Sequence, residues 1–527
     1  MKTSRWTLLS VVLILLVSGC STVKLAQSPL EVTAPDDQGI VIGTITHNYG
    51  LVPYWGSLLL ERLPEQNIEL DSVKSAKENK RKPKEDLYRL NTNVASSGMY
   101  TALYSGIVPP GKYRIHSVES STGVGQYWVN FKSRNKDVIE VKPGLIVDIG
   151  RLIVTGTPKE DRVILANSYR HQDNQDFVDR YAPYLFDTYA DREWSVWNSG
   201  VSDFELWLEN FAINHAYGFY GITVDDDVVY AGSRMGVVHT FNFETKSYDI
   251  IRTNALASIT GFRSTPDYLY IGGQMSFLAE LNKKTGVIKD IDTENLPSGN
   301  IAFIYKPEED EIMIALIDAN HISFYRCELS SSCRWRKDKQ YPITSENMWV
   351  GRIAGGISTY DDGFYVFPGE ERLVRYDRRT NEWIEKQLPR VTFSRRASDN
   401  GYLSIQTPGM PYKNYVSKDY GDSWELIEYD DWVKSPVIFK DEDTAYMMTS
   451  PSLLGQEFWL SRSDDGGKTW AETGEPLPFY GPQEFVYVPE REWLLLTTPA
   501  LYRSSVLMSY EIETGSSFTL KSSKPKE

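Results

Sequence analysis

Three arginines, Arg234, Arg263 and Arg352, could do the most defined chemistry, because converging guanidinium groups grip a carboxylate through paired hydrogen bonds. Two aspartates recur 46 positions apart in one pattern, S-x-D-x-G-x-[ST]-W. It runs through Ser417, Asp419, Gly421 and Trp424, and again through Ser463, Asp465, Gly467 and Trp470. An Asp that can bond the backbone two residues on, a Gly free to take positive φ, a hydroxyl residue and a Trp plug describe a tight, internally bonded hairpin turn. On that reading the carboxylates serve the turn and not a substrate. The six histidines are scattered with no short-spaced pair, so no metal site is expected. No phosphate-cradling loop or nucleophile elbow is present, and no cofactor is implied. A net charge of -15 argues against nonspecific binding to nucleic acid.

The two patterned stretches need a β frame. With 14 Trp and 33 Tyr the composition favours strands. Simpler turns, each with Thr before Lys, Gly or Asn, occur at Glu244–Lys246, Lys284–Gly286, Arg379–Asn381 and Glu513–Gly515, and Cys327–Cys333 supplies another. Seven turns then follow one another at roughly 40 to 50 residues, the repeat length of a four-stranded propeller blade. The S-x-D-x-G-x-[ST]-W stretches resemble the Asp-box, or BNR, repeat of sialidases, sortilin-like receptors and other β-propellers. That resemblance implies that both lie on the hairpin joining the two outer strands of a blade. The expected fold is mainly β: a seven-bladed β-propeller over residues 219–524, preceded by a small β-sandwich and a short helical connector.

The N-terminus carries Lys2 and Arg5 before an apolar run from Leu8 to Val17, ending Leu16-Val-Ser-Gly-Cys20. The run is too short to span a bilayer and reads as a signal peptide over 1–19. Leu-Val-Ser-Gly-Cys resembles the bacterial lipobox, which implies that Cys20 is acylated and becomes the first residue of the mature chain. Several acyl chains anchor a protein essentially permanently. Ser21 in place of Asp implies, by the same resemblance, export to the outer membrane. Polar residues 20–37, with Pro29 and Pro35, form a lipidated tether. Cys327 and Cys333 flank one turn and can pair across it in an oxidising compartment; free thiols are the alternative.

Residues 38–156 alternate apolar and polar positions between Pro-Gly turns at Pro109–Gly111 and Pro143–Gly144. They resemble prealbumin-like or carboxypeptidase-regulatory-like sandwiches. A basic cluster, Lys74 to Lys84, reads either as an anionic-lipid contact or as a solvated loop. In the connector, 157–218, helical spacing is expected over 176–189 and 202–215, the second opened by a Ser202/Glu205 capping box. Trp194 and Trp197 read as packing between domains.

For function, resemblance to sialidases would require an Arg-Ile-Pro motif early in the propeller, and Gly221–Asp225 stands where it belongs. Sialidase-like hydrolysis or glycan binding is therefore the alternative reading. The favoured one is a non-enzymatic protein-binding or scaffold module of the cell envelope. Its binding face is expected on the B-to-C loops, where Met235, Met275, Met410, Tyr412, Leu454 and Tyr502 make the tips more apolar than exposed loops need be. Tips tucked beneath another part of the chain are the competing explanation.

Overall fold

The computed structural model describes residues 23–522, apart from residues 30, 49–55, 65–85, 93–100, 123–124, 132–137, 157–162, 169–177, 179–186, 198–199, 201, 217, 319, 330–332, 344–356, 361, 370, 391, 393, 399, 410–411, 428, 430–432, 451–456, 478–483, 489–490 and 498–505. The strand Glu311–Ile317 shows how the architecture is built. Side chains alternate across a strand, so Ile312, Ile314 and Leu316 enter one apolar cluster while Met313, Ala315 and Ile317 enter the next. A strand buried on both faces belongs to a sheet with sheets on both sides.

Seven such sheets follow in sequence, over residues 222–252, 259–290, 300–342, 357–387, 394–427, 433–477 and 484–522. Each takes its strands, A to D, consecutively and antiparallel. In the sixth, strand A is split into Val433–Lys434 and Ile438–Phe439 around Pro436, which has no N–H to give the ladder. An apolar cluster fills each space between neighbouring sheets, and the last joins Leu495, Leu507 and Leu520 of the seventh sheet to Phe219, Phe241 and Phe243 of the first. The ring therefore closes as a seven-bladed β-propeller.

All seven C-to-D hairpins fall at the turns expected from the sequence. The plain ones are held by an amide or carboxylate at the end of strand C. Asn242 Oδ1 accepts from Thr245 N at 2.8 Å, Asn282 Oδ1 from Thr285 N at 2.9 Å, and Asp377 Oδ1 from Arg379 N at 2.9 Å. The residue after each Thr is left-handed: Lys246, Gly286 and Asn381 have φ of 54°, 71° and 56°.

N-terminal to the ring, the described strands form one eleven-stranded sheet in place of the two layers of a sandwich. Among the described residues Asp86–Thr92 meets Thr101–Val108 at Asn91 with Ser105 and Thr92 with Tyr104. One core draws Val41, Tyr104 and Leu152 from one side of this join and Leu58, Leu90 and Ile115 from the other. The sheet folds over its own core while staying hydrogen-bonded throughout. The strand Gly39–Asn48 is buried on both faces: Val41 and Ile45 enter that core, and Ile40 and Ile42 face the propeller.

Helix α1, Asp203–Asn214, begins at the expected capping box, with Glu205 N donating to Ser202 Oγ and Ser202 N to the Glu205 carboxylate. Its buried face is Leu208, Glu209, Ala212 and Ile213. The aromatic spacing that announced the helix lies largely outside, with Phe204 and Trp207 46% and 48% exposed. Of the other expected helix, 176–189, most lies outside the described residues and Asp187–Tyr189 makes one 3-10 turn.

Candidate functional site

The expected binding face is, at blades 1 and 2, an internal joint. Met235 and Met275 are 0% and 3% exposed. Met235, in the first B-to-C loop, packs with Leu208, Ala212 and Ile213 of α1 and with Ile153 and Ile164 of the N-terminal sheet. Met275, in the second, packs with Ile40, Ile42, Ile107 and Ile146. Both adopt positive φ, 66° and 62°, which turns each loop inward over its blade. Their apolar character meets a surface supplied by the same chain, which corrects the reading of these two as exposed. Tyr412 is half-buried, and Met410, Leu454 and Tyr502 lie outside the described residues. So do Cys20, Arg352 and the Lys74–Lys84 cluster. Trp194 packs where the N-terminal sheet meets Ala257 and Met275 of the propeller, as expected, whereas Trp197 packs against the N-terminal sheet's own core.

A polar knot fixes the same joint. Arg151, 1% exposed, donates from Nε to Thr46 Oγ1 at 3.1 Å and from Nη2 to the Leu256 carbonyl, between blades 1 and 2, at 2.9 Å. It pairs with the fully buried Glu209 of α1 at 3.8 Å, and Glu209 accepts from Ser168 Oγ at 2.8 Å. Arg234 donates to the His47 carbonyl at 3.3 Å and to Tyr220 Oη at 3.0 Å. Burial, with the Arg234 guanidinium nearby, pushes the His47 pKa down to about 3. Sequence reading missed Arg151, His47 and Glu209; their one signal was polarity inside otherwise apolar strand and helix patterns.

The two patterned turns are peripheral. Asp419 Oδ1 accepts from Ser423 N and Ser417 Oγ, each at 2.8 Å, while Gly421 N donates to Ser417 Oγ at 2.8 Å. Asp465 repeats this with Thr469 N at 2.8 Å and Ser463 Oγ at 2.8 Å, and Gly467 N donates to Ser463 Oγ at 2.8 Å. Burial opposes ionisation of Asp419, but donors from Ser423 and Ser417 outweigh it and hold the carboxyl at about 2. Hydrogen bonds from Thr469 hold Asp465 well below the usual carboxylate range. Trp424 and Trp470 pack against the clusters shared with blades 4 and 5 respectively, so each turn is pinned to the preceding blade. Cys327 and Cys333 are joined as a disulfide on the third blade's outer hairpin.

The arginines do not form a clamp. Arg234 is held on the face covered by the N-terminal sheet, whereas Arg263 ends strand A of blade 2 and opens toward the opposite, A-to-B face. There it lines a cavity of about 290 Å³ with Tyr305, Lys306 and Pro307 of blade 3 and Thr359, Tyr360 and Arg378 of blade 4. Arg378 pairs with Glu308. Lys306 Nζ donates to the Glu308 carbonyl at 2.9 Å and lies 5.5 Å from the Tyr270 ring centre; burial lowers its pKa. Arg263 Nε is cut off from solvent and has no hydrogen-bond partner among the described residues. Burial raises the pKa of Tyr305 and Tyr360, so both remain neutral phenols. These residues come from the ends of strands A in blades 2, 3 and 4 and, for Arg378, from the C-to-D hairpin of blade 4, and no local motif links them.

Fold and site together define a seven-bladed propeller with one face partly roofed by its own N-terminal sheet and a basic, aromatic-walled cavity on the other. No family model and no curated protein sequence matches the chain. Among solved structures it is similar to YCF48 from Cyanidioschyzon merolae, at 10% identity and TM-score 0.40 over 53% of this chain and 91% of that one. YCF48 bound to D1 peptide gives 10% and 0.41 over 55% and 88%. BamB from Moraxella catarrhalis gives 12% and 0.35 over 54% and 82%.

Proposed function

We propose that the chain is a lipid-anchored envelope protein whose propeller is a protein-binding scaffold working through its A-to-B face. The reading divides the chain into a signal peptide (1–19), a lipidated tether (20–37) attached through Cys20 to the outer membrane, an N-terminal β domain (38–156), a connector (157–218) and the propeller (219–524). The observation that carries it is the seating of the N-terminal sheet and α1 on Met235, Met275 and the Leu256 carbonyl, which commits the opposite face of blades 1 and 2 to an internal contact. The A-to-B mouth at blades 2 to 4 is left to a partner, and it gathers Arg and Tyr, the residue types that dominate protein-binding hot spots.

The lipid anchor and the face are tested separately. Cys20→Ala should shift the protein out of the membrane fraction; full membrane retention overturns the anchor. A photocrosslinking residue at position 360 should capture a discrete envelope protein, while one at Trp128, 63% exposed on the N-terminal sheet, should not. Equal capture from both positions, or from neither, overturns the assigned face.

A further inference from the structure

The cavity at the A-to-B mouth is unevenly charged. Three cations line it, yet among the described residues only Arg378 has a carboxylate partner, the exposed Glu308. Lys306 is tied to backbone carbonyls of the same loop. Arg263 is the cation with no hydrogen bond or ion pair among the described residues, and its Nε is already desolvated. Leaving a donor of a charged group buried and unmet is costly, and an acceptor entering this cavity would relieve that cost. A guanidinium is planar and matches a carboxylate edge to edge.

The surroundings limit what can enter. At about 290 Å³ the space takes a single side-chain-sized group. Tyr305, Pro307 and Tyr360 give apolar walls for methylene carbons. Glu308 and the neighbouring Glu309, Asp310 and Glu311 penalise a doubly charged ligand more than a singly charged one. We propose that this cavity is a carboxylate site in which Arg263, flanked by Arg378 and Lys306, receives an acidic side chain or a C-terminus of a protein partner, an inference that rests on the scaffold reading above.

The test uses detergent-solubilised full-length protein and ligand-observed NMR. The probes are acetyl-Ala-Glu-Ala-amide, acetyl-Ala-Ala-Ala with a free C-terminus, the neutral acetyl-Ala-Gln-Ala-amide, and inorganic phosphate. One carboxylate peptide should bind about tenfold tighter than the neutral peptide, and which one wins identifies the source of the carboxylate. Arg263→Gln should abolish that preference, as should Thr359→Trp, which fills the cavity and leaves the charges in place. Equal binding of neutral and acidic peptides overturns the proposal, as does an unchanged preference in a folded Arg263→Gln or Thr359→Trp protein. Phosphate binding about tenfold tighter than either peptide also overturns it. Crosslinking at position 360 reads the parent hypothesis independently. Capture that survives Arg263→Gln keeps the scaffold and sinks the carboxylate site, whereas carboxylate binding by a protein that captures nothing keeps the site and sinks the scaffold.

Discussion

Mild acid should loosen the joint between the N-terminal sheet and the propeller through His47. The residue is 5% exposed at the end of a strand buried on both faces, and its Nδ1 has no hydrogen-bond partner among the described residues. Burial, followed by the Arg234 guanidinium, takes its pKa down to about 3 from an unfolded value near 6.5. The folded pKa is depressed, so between those values the unfolded chain binds the extra proton. Stability from this residue is thus complete above about pH 6.5 and is lost progressively as pH falls toward 3. Between pH 7 and pH 5 the unfolded imidazole gains about 0.7 of a proton and the folded one almost none, which integrates to about 2 kcal/mol. Carboxylates titrate in the same range, so the readout is a difference. Denaturant midpoints of wild type and His47→Leu should be compared at both pH values, and wild type should lose about 2 kcal/mol more than the variant. Equal losses would falsify the assignment of His47 as a neutral residue locked in the joint.

Three further outcomes concern the propeller frame. Asp419→Ala removes the acceptor for Ser423 N and the Ser423 and Ser417 hydroxyls; it should cost about 2 kcal/mol in denaturant unfolding while leaving crosslinking at position 360 unchanged. Gly421→Ala should cost about 1 to 3 kcal/mol, because φ is 82° and the new Cβ lies 2.4 Å from Leu373 Cδ2 of the preceding blade; a melting temperature equal to wild type refutes the pinning of that turn. Replacing Cys327 and Cys333 together by Ser opens a loop of sequence separation 6 and should lower stability by about 2 kcal/mol, measured against reduced wild type as a control that should match it.

The ring was legible in the sequence because each blade must solve the same local problem. A hairpin between outer strands needs a backbone acceptor, a hydroxyl and a left-handed residue, and those types recur at Asn242–Lys246, Asn282–Gly286, Asp377–Asn381 and both S-x-D-x-G stretches. Helix α1 was legible from its cap, and its orientation was not. Phe204 and Trp207 have the spacing of a buried stripe, yet the face that docks is the smaller Leu208, Ala212 and Ile213, because close approach to Met235 and Ile153 favours short side chains there. The sandwich expectation met a continuous sheet because alternation reports which residues are buried and not whether two layers share a hydrogen-bonded edge. The cavity was invisible in sequence because Arg263, Lys306 and Arg378 are brought together by ring closure across more than a hundred residues.

The misassigned loops carry the broader lesson about this molecule. Apolar tips at Met235 and Met275 correctly signalled a covered surface, since desolvating such residues is favourable whichever chain supplies the cover. Hydropathy cannot distinguish a partner from a neighbouring domain, but polar groups can. A joint within one chain is folded once and can bury charges such as Arg151 and Glu209 among fixed partners. Arg263, by contrast, lines an open cavity with no ion pair among the described residues. The knot ties the chain's own domains together through Arg151, Glu209 and the Leu256 carbonyl, whereas Arg263 on the opposite face has no ion pair among the described residues, and on the proposed reading that face is the one left for recognition.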